Sequence, residues 1–424
     1  MQKTEFTKFK LPNGVRVVLV PQKSSVATTV IVLVETGSKY ETKKINGLSH
    51  FLEHMCFKGT TRRPKPSDIS SELDGLGAVY NAFTDTEMTG YWAKAKNDAA
   101  PKLLDIVSDL YLNPTFDSKE IEKEKGVIIE EINMYEDLPR QKAGELFMKL
   151  VYGDQPAGWS IAGRKEVIRR TTREDFLAYR GTHYLAPATT VIVSGGFDAA
   201  RMERLVRRAF GSLPRGRKGT KLPVRESQSR PREVVHFKKV EQTHLILGFR
   251  SFGIYDPRRP ALQLMAHVLG GGMGSRLFKR VREELGAAYY VNASADFLTD
   301  HGIVSMSAGA KHEKLEAVLK VGVEEFGRFT RELVPQDELV RAKNHLTGTF
   351  LLSLETSDEL GSFYGAQEVF HRPLRTPAQL VREIQRVSAD DIRAVARQVV
   401  KPNRLNLAIL GPYKKRSFRG ILKL

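Results

Sequence analysis

Residues 168–196 read IRRTTREDFLAYRGTHYLAPATTVIVSGG, and residues 384–411 read IQRVSADDIRAVARQVVKPNRLNLAILG. Each is a helix opening on a capping residue, then a proline-containing turn, then a strand that ends in glycine. Ile384 stands 384 − 168 = 216 positions after Ile168, and the same 216 separates Ser388 from Thr172, Asp391 from Asp175 and Gly411 from Gly195. The offset returns far upstream. The strand-like run 28–37 (TTVIVLVETG) closes on Gly37 and the run 243–253 (THLILGFRSFG) closes on Gly253, and 253 − 37 = 216. One offset shared by both ends of each half indicates an internal duplication.

The expected fold is therefore α+β: two homologous α/β domains, each a mixed, largely antiparallel sheet packed with helices. The boundaries expected are 1–212, a basic linker at 213–231, and 232–424. The linker reading rests on the Pro-, Gly- and Arg-rich run 214–232 (PRGRKGTKLPVRESQSRPR). Half one opens with FKLPNGVRVVLVP, a strand, an Asn-Gly turn and a second strand. Helical patterns follow around 46–57, 66–76, 98–111 and 117–136.

Composition narrows the class. The chain has 424 residues, 41% hydrophobic and 27% charged, as expected of a globular protein of two or more domains. The single cysteine excludes an intramolecular disulfide. The opening MQKTEFTKFK lacks the apolar core of a signal peptide, and no run approaches the roughly 20 apolar residues that span a bilayer. No membrane span and a cytoplasmic location are expected. The net charge of +18 concentrates in 214–232 and in the tail 414–419 (KKRSFR), and reads as a solvated basic surface. No nucleic-acid motif accompanies it, so no nucleic-acid partner is expected.

The chemistry lies in NGLSHFLEHMCFKGT, residues 46–60. At about 100° per residue, Leu48, Phe51, Leu52 and Met55 share one side of a helix while His50, Glu53 and His54 share the other. Two histidines at i and i+4 can reach one ion, and a glutamate between them can touch water on it. On the helix alone, a solvated face with two ordinary histidines remains the alternative. A catalytic zinc site needs a third protein ligand. The helix 119–137 offers Glu124, Ile128, Glu131 and Tyr135 on one stripe, with Glu130 as a rival donor. Cys56, two positions past His54, points away from the ligand face and reads as a small buried residue. Gly270–Gly272 lacks the Lys-Ser/Thr of a phosphate loop, and His183 and His244 have no partner spacing.

At this point the sequence resembles the insulinase, pitrilysin and mitochondrial processing peptidase family, the H-x-x-E-H inverzincins, over nearly its whole length. GLSHFLEHMCFKGT is similar to the family's zinc helix. EKEKGVIIEEI is similar to its downstream segment, which implies Glu131 as third ligand with His50 and His54, and Glu124 as their support. GAVYNAFTDTEMTGYW resembles the substrate-holding edge strand, implying Asn81, Ala82 and Thr84 as substrate contacts. LGGGMGSRLFKRVREELGAAYYV resembles the second domain's Arg…Tyr segment, implying Arg282 and Tyr289 in the catalytic set, holding the substrate or the developing oxyanion. The resemblance implies one zinc ion per chain, with Glu53 as general base toward the water that zinc activates. It also implies a metalloendopeptidase acting on unfolded peptides in an enclosed chamber, formed as a clamshell dimer. The partner would be a second copy or a related subunit of a heterodimer. The alternative is a non-catalytic or weakly active partner subunit, or a peptide-binding clamp. Moving the motif by 216 puts Ala266 at His50, Leu269 at Glu53, Gly270 at His54 and Thr347 at Glu131, so the second half cannot hold zinc in the same way.

Overall fold

The strands form where β-branched runs alternate with turn residues. The computed structural model describes residues 6–424, so the first five residues of the MQKTEFTKFK segment lie outside the described residues. The first sheet contains β1 (Thr7–Lys10), β2 (Arg16–Pro21), β3 (Ala27–Val34), β4 (Val79–Thr84), β5 (Thr89–Lys96) and β6 (Thr189–Gly195). The second contains β7 (Arg232–Phe237), β8 (Thr243–Ser251), β9 (Ala288–Phe297), β10 (Gly302–Ala310) and β11 (Leu405–Gly411). The turn between β1 and β2 is the expected one, with Gly14 at φ 113°, a value open to glycine and unfavourable for other residues.

The strand orders are β1-β2-β6-β3-β5-β4 and β7-β11-β8-β10-β9. In each sheet one pair is parallel, β2 with β6 and β7 with β11, and the rest are antiparallel. The second sheet thus repeats the first without β1. The repeat keeps the offset: β11 starts 405 − 189 = 216 after β6, and β8 starts 243 − 27 = 216 after β3. The duplication is a duplication of topology.

The compact units cut across the boundaries expected from sequence. One runs through Ile132 and adds Trp159–Leu222 and Leu352–Thr376; the other is Asn133–Gly158, Pro223–Leu351 and Pro377–Leu424. Two helices account for the difference. Pro139–Tyr152, from the first half, lies in the second unit, where Phe147, Val151 and Tyr152 pack with Ile303 and Ala408. Ser357–Glu368, from the second half, lies on β3 and β6 of the first unit. The two are duplicates, since 368 − 152 = 216. Ser357–Glu368 approaches its sheet through glycines: a Cβ on Gly365 would stand 2.9 Å from Leu33 Cδ1. It is fastened by a 2.7 Å hydroxyl bond between Thr29 and Ser357, by Lys94–Asp358 at 2.8 Å, and by the Arg16 guanidinium bonded to the Glu368 carbonyl.

The segment 213–231 has no helix or strand, yet it is held along its length. In the first unit Lys218 pairs with Glu35, and Lys221 pairs with Glu87 at 3.0 Å. In the second, the Val224 amide donates to Asp300 at 2.9 Å and the Gln228 amide to the Leu405 carbonyl at 2.8 Å.

Candidate metal centre

The helix Leu48–Cys56 is built as its pattern requires: Leu48, Phe51, Leu52, Met55 and Cys56 are buried in the first unit's core. Cys56 is the expected buried residue, its thiol against the Tyr91 hydroxyl at 3.5 Å and pushed up by burial to about 11. The helix begins after Gly47, which has no side chain to cap it. Glu41 supplies the cap instead. Its carboxylate accepts from the backbone amides of Gly47 at 2.8 Å and Ser49 at 2.7 Å, and from Asn46 at 3.1 Å. Being wholly buried, Glu41 is pushed up to about 7, against the pull of these donors. Glu41 is not among the residues that the helix periodicity or the motif singles out. The signal was available: among residues 36–52 the one acid is Glu41, upstream of a helix that starts on glycine.

The opposite face meets the helix Ser118–Asp137. His50 Nε2 and His54 Nε2 each lie 3.6 Å from the same oxygen of Glu131. One donor atom from each of the three residues falls within 4.8 Å of the others, and among the described residues no further cluster of three such side chains meets that test. Donors held about 2.0–2.2 Å from a tetrahedral ion stand roughly 3.3–3.6 Å apart. The set therefore fits a zinc-sized ion. Glu130, the rival, is exposed and outside the cluster.

The surroundings act differently on the two histidines: desolvation pulls His54 down, but its bond to Glu124 and the charges of Glu53, Glu124 and Glu131 outweigh it and raise His54, whereas His50 is lowered. His54 Nδ1 lies 2.9 Å from Glu124 Oε1, which fixes the ring and leaves Nε2 for Glu131's side. Lys58 holds the other Glu124 oxygen at 2.7 Å. Burial works against the Glu124 charge, but the bonds to His54 and Lys58 hold its carboxyl below the ordinary range. Burial, with His54 beside it, lowers His50 to about 4, so its ring is neutral. His50 Nδ1 is buried and has no hydrogen-bond partner among the described residues.

Glu53 sits on the same face and is only 9% exposed. Burial pushes its carboxyl upward, while a 2.7 Å bond from the Thr84 hydroxyl pulls the other way. Thr84 thus has a partner inside the site. Asn81 and Ala82 share β4 with it, at the end of the strand order, where, among the described residues, β4 pairs with β5 alone. The Asn81 side chain accepts from the Ala82 amide at 2.8 Å. Arg282 and Tyr289 belong to the second unit. Arg282 lies in a π-helical turn, Phe278–Glu284, with its guanidinium 5.1 Å over the Phe278 ring. Tyr289 is near the start of β9 and 76% exposed.

Known proteins resemble this chain in sequence and in fold. Residues 16–165 match the family described as Insulinase (Peptidase family M16), and residues 170–346 match the Peptidase M16 inactive domain. A Rickettsia felis protein named an uncharacterized zinc protease is 36% identical over 98% of this chain and 100% of its own length. A Bacillus subtilis protein, also named an uncharacterized zinc protease, is 32% identical over 96% of this chain and 98% of its own. Among solved structures, a protease from Helicobacter pylori superposes with a TM-score of 0.89 at 22% identity, covering 96% of this chain and 100% of its own, which establishes the likeness of fold. The match of both domain families in order, with relatives aligned from end to end, places this chain in the insulinase family of peptidases, family M16.

Proposed function

We propose that this chain is a zinc-dependent endopeptidase, with His50, His54 and Glu131 holding one zinc ion per chain. The observation that carries the reading is the convergence of those three donors beside a buried Glu53. When bound there, zinc supplies Lewis acidity, polarising a peptide carbonyl and making water a stronger acid. The chain's own residues do the rest. Glu53 accepts the proton of the attacking water and delivers it to the leaving amine. Thr84 fixes the Glu53 carboxylate, and Glu124 fixes the ring of His54. An extended peptide adds to the free edge of β4 near Asn81, which gives affinity through the backbone and little side-chain selectivity.

The family resemblance supports the remaining parts. Arg282 and Tyr289 hold the substrate or the developing oxyanion. The chain works as a homodimer enclosing a chamber for unfolded peptides, with residues 1–212 as the catalytic half and 232–424 as the substrate-contacting half. Zinc content and cleavage of a quenched peptide test the core of the reading. The wild-type chain holds about one zinc, and chelation removes metal and activity together. His50→Ala and Glu131→Gln lose the metal; Glu53→Gln keeps it and loses turnover. A Glu131→Gln chain that keeps zinc while Glu130→Gln loses it would overturn the ligand set.

A further inference from the structure

In the second unit, two helices occupy the places that the zinc-motif helix and the Glu131 helix hold in the first. They are Arg259–Gly270 and Gln336–Leu352. Their positions equivalent to the ligands are Ala266 and Thr347, which cannot bind metal. One residue past Ala266 stands His267, and two residues before Thr347 stands His345. The two imidazoles meet: His267 Nε2 lies 2.9 Å from His345 Nδ1.

This contact leaves a chemical question. Two facing ring nitrogens share at most one proton between them. Two nitrogens bound to one tetrahedral ion at 2.0–2.1 Å would stand about 3.3 Å apart, so a small opening of the pair admits a metal. We propose that His267 and His345 form a second, open metal site, taking a divalent transition ion such as zinc or nickel with solvent in its remaining positions. Burial and the neighbouring His345 push His267 down to about 4, so its ring is neutral, the form that ligates.

The chain is shaped around the pair. Gly271 has φ −85°, an ordinary value, so its backbone does not demand glycine. A Cβ there would stand 2.2 Å from His267 Nδ1, and one on Gly272 would stand 3.0 Å from His345 Cε1. The glycine run, too poor in sequence for a phosphate loop, is what lets the backbone close over both rings. The rings border a cavity of about 340 Å3 that Ser275 and Asn344 also line, and the Ser275 hydroxyl is buried with no partner among the described residues. The cavity's Arg341 is paired with Asp337 at 2.6 Å and its Glu338 with Arg276 at 2.8 Å, so neither charge is left uncompensated beside the histidines. His345 is exposed, which gives an ion access.

The test is equilibrium dialysis of the chelator-stripped full chain against Zn2+ or Ni2+ alone, with bound metal counted by mass spectrometry. The wild-type chain binds a second, weaker equivalent beyond the first. His267→Ala and His345→Ala each lose the second and keep the first. In a His50→Ala chain, where the first site is disabled, one equivalent remains and disappears in His50→Ala/His345→Ala. That arm makes the result independent of the proposed catalytic zinc. A parallel readout is the thermal midpoint: Ni2+ raises it in His50→Ala and not in the double variant, because a bound ion ties the two helices together. His345 is exposed, so its alanine variant keeps the fold, and circular dichroism verifies this. Equal metal in wild type, His267→Ala and His345→Ala, or no bound metal in His50→Ala, would overturn the proposal.

Discussion

Replacing Thr84 with valine isolates the contact on which the proposed proton transfer depends. The Thr84 hydroxyl donates a 2.7 Å hydrogen bond to Glu53 Oε2, and Glu53 is almost excluded from solvent. Valine keeps the branched shape that suits β4 and its pairing with Thr89. The change therefore removes one hydrogen bond and little else. A hydrogen bond to a charged acceptor is worth about 1.5–3 kcal/mol. At 1.36 kcal/mol per tenfold, its loss from the transition state slows kcat by roughly 10- to 150-fold. The bond positions Glu53 and does not touch peptide, so KM and zinc content stay near wild type. Thr84→Ser, which restores the hydroxyl, recovers most of the rate. The assay is steady-state cleavage of a quenched peptide, with kcat and KM resolved and bound zinc measured on the same samples. The family resemblance alone, which makes Thr84 a substrate contact, gives the opposite result: KM rises and kcat holds. That outcome would refute the positioning argument.

Glu41→Gln should change how stability depends on pH. Glu41 is raised to about 7, above the ordinary carboxyl value near 4.3, so between those values the folded chain holds a proton that the unfolded chain releases. Its contribution is full below about pH 4.3 and is lost as pH rises toward 7; urea unfolding of both chains at several pH values should show this slope in wild type alone, and parallel curves would count against it. A fragment ending at Leu222 should fail to fold cooperatively, because β3 and β6 lose the helix Ser357–Glu368. A peptide covering 352–376 added in trans should restore a cooperative thermal transition, whereas full-chain stability without the peptide would contradict the exchange. If Arg282 of one subunit completes the zinc site of another, mixing inactive Glu53→Gln and Arg282→Ala chains restores activity. No recovery after subunit exchange has been verified by tagged pull-down rules that sharing out.

What the sequence made legible was whatever is local. The duplication could be read because a capped helix and its following strand keep their spacing in both halves, and the structure places β6 and β11 on that spacing. His50, Glu53 and His54 could be read because one helical turn brings them together whatever surrounds them. Periodicity could not decide between Glu130 and Glu131, since adjacent residues on a helix differ by only about 100° and the core side of the helix Ser118–Asp137 is unknown without its neighbours. Contacts across the fold were invisible: Thr84 meets Glu53 from 31 residues away, and Glu124 meets His54 from 70. The exchanged helices were illegible for a related reason. An amphipathic pattern states that a helix has an apolar face, but not which of two similar sheets will cover it.

The duplication also separates what the fold requires from what the chemistry requires. At the position of His50 the second unit has Ala266, at Glu53 it has Leu269, and at Glu131 it has Thr347, all buried. The same sheet order forms around either set. The polar cluster of the first unit is therefore not an architectural need of the fold. It is also costly in itself: Glu53 is buried and raised, and His50 Nδ1 is buried without a partner among the described residues. An unsatisfied buried polar group costs about 1–3 kcal/mol, which the apolar version of the same helix avoids. The duplicate helix has alanine, leucine and glycine where this one has His50, Glu53 and His54, which is what the proposed metal binding in the first unit requires. An ion held by His50, His54 and Glu131 would bind the folded chain and not the unfolded one, so metal should raise the stability of the first unit as well as serve its proposed chemistry.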